Sequence, residues 1–160
     1  MALALFRIDD RLIHGQVVQG WLGMLRVTRV VVADDEAAGD ALQQSCMALA
    51  IPPGVALTVL TVVEAAARLS EFVESQERVL LLVAGPAQAL AVVGGIGPVD
   101  AINVGGLHAA PGRRPVFPTV SVGGQDEAAF RDLARLGSRV EYRPLPTDPR
   151  LDLIEGLDRP

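Results

Sequence analysis

Short apolar runs recur along the chain, separated by longer alanine-rich stretches of mixed character. The runs are Leu3 to Ile8, Arg29 to Ala33, Ala56 to Thr61, Val79 to Ala84, Ala101 to Val104, Thr119 to Val122 and Arg139 to Arg143. Unbroken Val, Ile and Leu of this length predict strands buried on both faces, as in a parallel sheet. The stretches between them predict helices at about His14 to Met24, Asp35 to Ala50, Val62 to Ser75, Pro86 to Val93 and Gln125 to Leu136, with a short last helix after Asp148. Proline at Pro86 suits a first helical turn, Asp148-Pro149 reads as a cap followed by proline, and Gly137 suits a helix stop. The alternation gives an α/β class: a doubly wound, mostly parallel sheet of about seven strands with helices on both faces. The run Val116 to Val122, entered through the turn Pro111 to Pro115, is the candidate for one antiparallel edge strand.

At 160 residues, half of them apolar, the chain supports one core and is read as a single domain. A formal charge of -5 argues against nucleic acid and anionic membrane surfaces as partners. No apolar run approaches the ~20 residues of a membrane span, so direct membrane insertion is not expected and the protein is read as soluble and cytoplasmic. The single cysteine, Cys46, lies in a stretch of helical periodicity and is expected as a packed core thiol. No His or Cys partner stands at metal-ligand spacing, so no metal or other cofactor is expected.

Charge concentrates where the first predicted strand ends, in Arg7-Ile8-Asp9-Asp10-Arg11-Leu12-Ile13-His14-Gly15-Gln16. In doubly wound sheets ligands bind beyond the carboxyl ends of strands, and burying these groups unpaired would be costly. A pocket follows, with Leu12 and Ile13 as its apolar anchors. His14 falls at a helix start, whose backbone N–H groups and partial positive charge attract anions. A neutral imidazole there has a lone pair to attack phosphorus, and a guanidinium at Arg11 can grip the transferring oxygens. Asp9 or Asp10 is placed to orient Arg11 or to hold the ring nitrogen that is not phosphorylated, and Gly15 permits close backbone approach. Asp35, Arg7 and His108 are further candidate contacts. The pair Arg113-Arg114 is either a docking point for an acidic face or a solvated turn, and Trp21 is a core or subunit contact. A nucleotide-binding fold would carry G-x-G-x-x-G after the first strand, which is absent; Gly94-Gly95-Ile96-Gly97 reads as a helix-ending turn.

The string from Arg7 to Val17 resembles the active-site signature of IIB proteins of the mannose/fructose/sorbose class of the bacterial sugar phosphotransferase system. Val30 to Asp40, Ala50 to Val55, Asn103 to Gly106, Val120 to Val122 with Asp126, and Pro146 to Pro149 are similar to later family segments. The resemblance implies a phosphoryl carrier that accepts from a phosphohistidine on a IIA domain and passes the group to a sugar entering through membrane IIC and IID subunits. By position the carrier is His14, supported by Arg11, Asp9 and Asp10, with Arg11, Gly15 and Gln16 around the phosphate. Ala33-Asp34-Asp35 and Ala84-Gly85-Pro86 depart from the family pattern at two strand ends. The second departure removes a polar donor and keeps open the alternative of a regulatory phosphocarrier.

Overall fold

The computed structural model describes residues 3–95 and 97–160. Nine strands and eight helical segments alternate along it: β1 (Leu3–Asp9), a π-helical segment (Val17–Leu22) running into α1 (Gly23–Leu25), β2 (Arg29–Ala33), α2 (Asp35–Ala38), α3 (Ala41–Ala50), β3 (Ala56–Leu60), α4 (Val62–Glu74), β4 (Val79–Val83), α5 (Pro86–Val93), β5 (Ala101–Gly106), β6 (Arg114–Phe117), β7 (Val120–Val122), α6 (Gly124–Arg135), β8 (Arg139–Tyr142), β9 (Leu151–Asp152) and α7 (Leu153–Asp158). Seven strands form one sheet in the order β3-β2-β4-β1-β5-β8-β9. All its pairings are parallel except β8 with β9.

Period-two alternation divides the core between the two faces of the sheet. Phe6, Ile8, Val31, Leu81, Val83, Ile102 and Val104 pack on one side against Leu69 and Phe72 of α4, Val92 of α5 and Phe130 of α6. Val30, Val32, Leu80 and Leu82 pack on the other against Val17, Trp21 and Leu22 of the first helix, Ala37 of α2 and Met47 of α3. Strand β4 is wholly buried, as its unbroken apolar run requires. Thr61 caps α4 by accepting from the Glu64 N–H at 3.1 Å, while the Glu64 carboxylate accepts from the Thr61 N–H at 2.7 Å. Gly137 has φ +104°, the left-handed stop expected after α6.

Five expectations change. The predicted helix Asp35 to Ala50 is two helices, broken at Gly39-Asp40, where the Asp40 carboxylate accepts from the Gln43 N–H at 3.0 Å and restarts the helix. Cys46 is exposed on α3, because that helix turns only Met47 inward. Val116 to Val122 contributes no edge strand: β6 and β7 form a separate antiparallel hairpin, and β9 is the antiparallel edge. Asp148 stabilises a turn instead of capping a helix, its carboxylate accepting from the Leu145 N–H at 2.9 Å, and Asp152 caps α7. The first helix contains π-helical turns where regular α-helix is expected. The turn at Gly94 to Gly97 includes Ile96, which lies outside the described residues, although Gly94 does cap α5.

Candidate active site

Strand β1 is central, flanked by β4 and β5, and its residues alternate in face. Phe6 and Ile8 enter one apolar layer, so Arg7 and Asp9 project to the opposite side, beneath the first helix. Both are completely buried. On the neighbouring β5 the same face carries Asn103 and Gly105. The β1–β5 register slips between Ile8 and Asp9: Ile8 pairs with Val104 but Asp9 with Gly106, leaving Gly105 as an extra residue. A side chain at Gly105 would occupy the space that the Arg7 guanidinium fills.

Asp9 is the hub of the site. Its Oδ2 accepts from Arg7 Nη2 at 2.9 Å and lies 2.9 Å from His14 Nε2; its Oδ1 accepts from Arg11 Nε at 3.0 Å and from the Arg11 backbone N–H at 3.1 Å. Arg11 Nη2 completes a two-pronged grip on the carboxylate at 3.1 Å and also donates to Gln16 Oε1 at 3.2 Å. Burial works to raise the Asp9 carboxyl, but the hydrogen bonds from His14 and Arg11 and the charge of Arg7 outweigh it, holding the group far below the ordinary carboxylate range. The hydrogen bond to Asp9 raises the Arg11 pKa, with the charges of Asp9 and Asp10 adding to the rise against partial desolvation. Desolvation lowers that of Arg7, against the pull of Asp9.

The loop owes its shape to Leu12, which is buried and adopts φ +55°. Such a conformation is uncommon for a residue with a side chain and turns the chain sharply between strand and helix. The Leu12 N–H donates to the Asp9 carbonyl at 3.0 Å, and the His14 carbonyl accepts from the Val18 N–H at 3.0 Å, which joins His14 to the helix start. The His14 side chain is 15% exposed. Gly15 leaves open space where a Cβ would stand.

Arg7, Asp9, Arg11, His14 and Gln16 are thus brought together. Asp10 points elsewhere: its Oδ2 accepts from the His108 N–H at 2.8 Å, and its Oδ1 lies 2.7 Å from His108 Nδ1. Asp35 accepts from the Val62 N–H at 2.9 Å and stands apart from this network. Arg113 donates to the His108 carbonyl at 2.9 Å and pairs with Asp126 at 3.3 Å, while Arg114 donates to the Leu157 carbonyl at 2.8 Å; neither is a bare solvated cation. Trp21 is buried under Arg7 and Arg143, whose guanidinium carbons lie 5.8 and 5.4 Å from its ring centre.

Two residues of the network have no role in the sequence reading. Asn103 accepts from Arg7 Nη1 at 2.6 Å and donates to the Arg143 carbonyl at 2.9 Å. Its signal is a lone amide inside an otherwise apolar buried strand, two strand positions from a glycine. Arg143 carries no comparable signal, since its side chain serves the turn carbonyls of Asp148 at 2.9 Å and of Pro146.

Beyond the carboxyl end of a central parallel strand of a doubly wound α/β protein, a carboxylate-held histidine with a neighbouring guanidinium is an arrangement suited to group transfer. The chain belongs to the sorbose-subfamily IIB components of the phosphotransferase system, whose family model matches residues 3–159. It is 39% identical over 155 residues to the Escherichia coli N-acetylgalactosamine-specific phosphotransferase enzyme IIB component 2, covering 97% of this chain and 98% of that one. Against the sorbose-specific EIIB component of Lacticaseibacillus casei the identity is 32% over 158 residues, covering 99% of this chain and 96% of the other. The mannose-specific EIIAB component of E. coli matches at 36% identity with 99% of this chain and 50% of its own length. The solved IIBSor domain of the Klebsiella pneumoniae sorbose permease superposes with a TM-score of 0.90 at 30% identity, covering 99% of this chain and 97% of that one. The protein is therefore a transferase-type component of a sugar phosphotransferase system. Among the described residues no helix is long and apolar enough to cross a membrane.

Proposed function

We propose that the chain acts as a single-domain, cytoplasmic phosphoryl carrier with His14 as its phosphorylated residue. It takes the group from the phosphohistidine of a IIA domain and delivers it to a sugar imported through membrane IIC and IID subunits, at which it docks peripherally. The observation that carries the reading is the 2.9 Å approach of His14 Nε2 to the buried Asp9 carboxylate. A carboxylate accepts only, so Nε2 carries the ring proton and Nδ1 keeps its lone pair. Among the described residues Nδ1 has no hydrogen-bond partner. Nδ1 forms the new N–P bond as the donor's N–P bond breaks, and the electron pair returns to the donor imidazole. The positive charge arising on the His14 ring is balanced by Asp9. Arg11 spends Nε and Nη2 on Asp9 and Gln16, which leaves Nη1 for a phosphoryl oxygen. In the second step a sugar hydroxyl attacks phosphorus and gives its proton to solvent, while the electron pair of the breaking N–P bond returns to Nδ1 and leaves His14 neutral.

The test is to charge the protein with phosphoenolpyruvate, the general phosphotransferase proteins and a matching IIA domain, then locate the label by peptide mapping and 31P NMR. Label on Nδ1 of His14 is expected. Label on another residue, or none, overturns the carrier assignment; label on Nε2 overturns the Asp9 orientation.

Arg11→Lys keeps a charge but loses the fork that holds Asp9 with one edge and phosphoryl with another. Single-turnover charging should slow by about tenfold, equivalent to roughly 1.4 kcal/mol of transition-state stabilisation, with the fold intact by circular dichroism. An unchanged rate excludes the role.

A further inference from the structure

Two acidic residues adjoin at the end of β1, yet only one of them can serve the site. Asp9 is neutralised by Arg7 and Arg11. Asp10 follows immediately, and its charge reaches the Arg11 guanidinium. Left free, a carboxylate in this position would repel an incoming phosphoryl dianion and compete with it for Arg11. The segment after β5 meets this problem. Its His108 backbone N–H donates to Asp10 Oδ2 at 2.8 Å, and the His108 ring places Nδ1 2.7 Å from Oδ1, an oxygen buried from solvent that has this ring beside it and no hydrogen bond of its own. The segment is itself tied down, because Arg113 donates to the His108 carbonyl at 2.9 Å, and the Asp10 N–H donates to the Gly106 carbonyl at 3.1 Å. The His108 side chain is 68% exposed and fills no core space. Asp10, Arg11 and His108 line one open cleft with Gly106 and Thr119.

We propose that His108 is a positioning residue for phosphoryl transfer, holding the Asp10 carboxylate turned away from the phosphoryl site so that Arg11 remains available. This rests on His14 being the carrier, and wild-type charging tests that separately. His108 touches neither phosphorus nor the His14 ring; it acts through Asp10. Removing the ring would uncover the buried Asp10 Oδ1, and that oxygen would gain solvation by swinging toward solvent and Arg11.

The experiment measures single-turnover charging by phosphorylated IIA for wild type, His108→Ala, His108→Lys and the same His108 variants in an Asp10→Asn background. His108→Ala should slow charging about fivefold to tenfold, in line with a single carboxylate charge moved to moderate range. His108→Lys should restore at least half of the loss, since an ammonium beside Oδ1 can hold the carboxylate in the same place without the ring. With Asp10→Asn there is no charge to hold aside, so adding His108→Ala should change the rate less than twofold. A purely structural loop role predicts the same slowing in both backgrounds and no rescue by lysine, and that outcome overturns the proposal. So does wild-type charging of His14 combined with an unaffected His108→Ala. If wild type is not charged at His14, the carrier reading itself has failed.

Discussion

Asp9→Asn is expected to slow charging of His14 by about a hundredfold or more and to destabilise the fold by roughly 3–5 kcal/mol. The substitution keeps the shape of the side chain and removes the charge that Arg7, Arg11 and the His14 N–H share. Arg7, fully buried beside it, would retain its charge with only neutral acceptors, Asn103 Oδ1 at 2.6 Å and the Arg143 carbonyl at 3.3 Å. An amide also presents an NH2 group to either His14 or Arg11, so one of those contacts turns from attraction to a clash of donors. The pH dependence has a definite sign. The native Asp9 pKa lies below its unfolded value of about 3.9, so the carboxylate contributes its full stability above that value and loses it as pH falls through the native pKa. Denaturation midpoints of wild type and variant should therefore differ by a constant amount from about pH 5 to pH 8 and converge in strong acid. Equal midpoints at neutral pH would show that Arg7 does not depend on Asp9.

Gly105→Ala should destabilise the protein by about 3 kcal/mol, lowering the melting temperature by roughly 6–12 °C. The backbone at Gly105 does not have the positive φ that favours glycine, so the loss is steric. A Cβ there would collide with the Arg7 guanidinium, which is fixed by Asn103 and Asp9 and has no room to retreat. Gly15→Ala is the control for stability, because its Cβ meets nothing within 4 Å. Comparable melting temperatures for the two variants would refute this account of the β1–β5 bulge.

The fold was legible wherever local chemistry and tertiary environment agree. Arg29–Ala33 and Pro86–Val93 end where the chain's own signals end them, an apolar run bounded by polar residues and a helix between Gly85-Pro86 and Gly94. Legibility failed where two local readings compete. Asp40 can sit inside a helix or restart one, and only the crossover from β2 to β3 decides it. Cys46 shares the helical periodicity of Met47, but period alone does not say how much of a helix the sheet covers. At the candidate site, the clustering of charge after β1 marked where the fold brings Arg7, Asp9, Arg11 and His14 together. The division of labour between Asp9 and Asp10 was not available, because it follows from strand alternation at the last residues of β1, where a shift of one residue exchanges the buried side chain with the one that meets His108. Asn103 and Gly105 act through the neighbouring strand, about a hundred residues away along the chain, and no local pattern links them to Arg7.

The π-helical segment Val17–Leu22 bears on how the site tolerates changes in chain length. A π-turn holds one more residue than an α-turn over nearly the same rise, so it is a stored insertion. It sets the angular phase between His14 at the head of the helix and Trp21, which is anchored by donating to the Pro144 carbonyl at 3.0 Å. Losing one residue from this segment would let it relax to a regular α-helix with its two ends in nearly the same phase, whereas losing one from a regular α-helix would turn the ends by about 100° relative to each other. The alignment of nucleophile and anchor is thus buffered at this segment against a one-residue change in length, while its buried Val17, Trp21 and Leu22 hold the helix to the sheet.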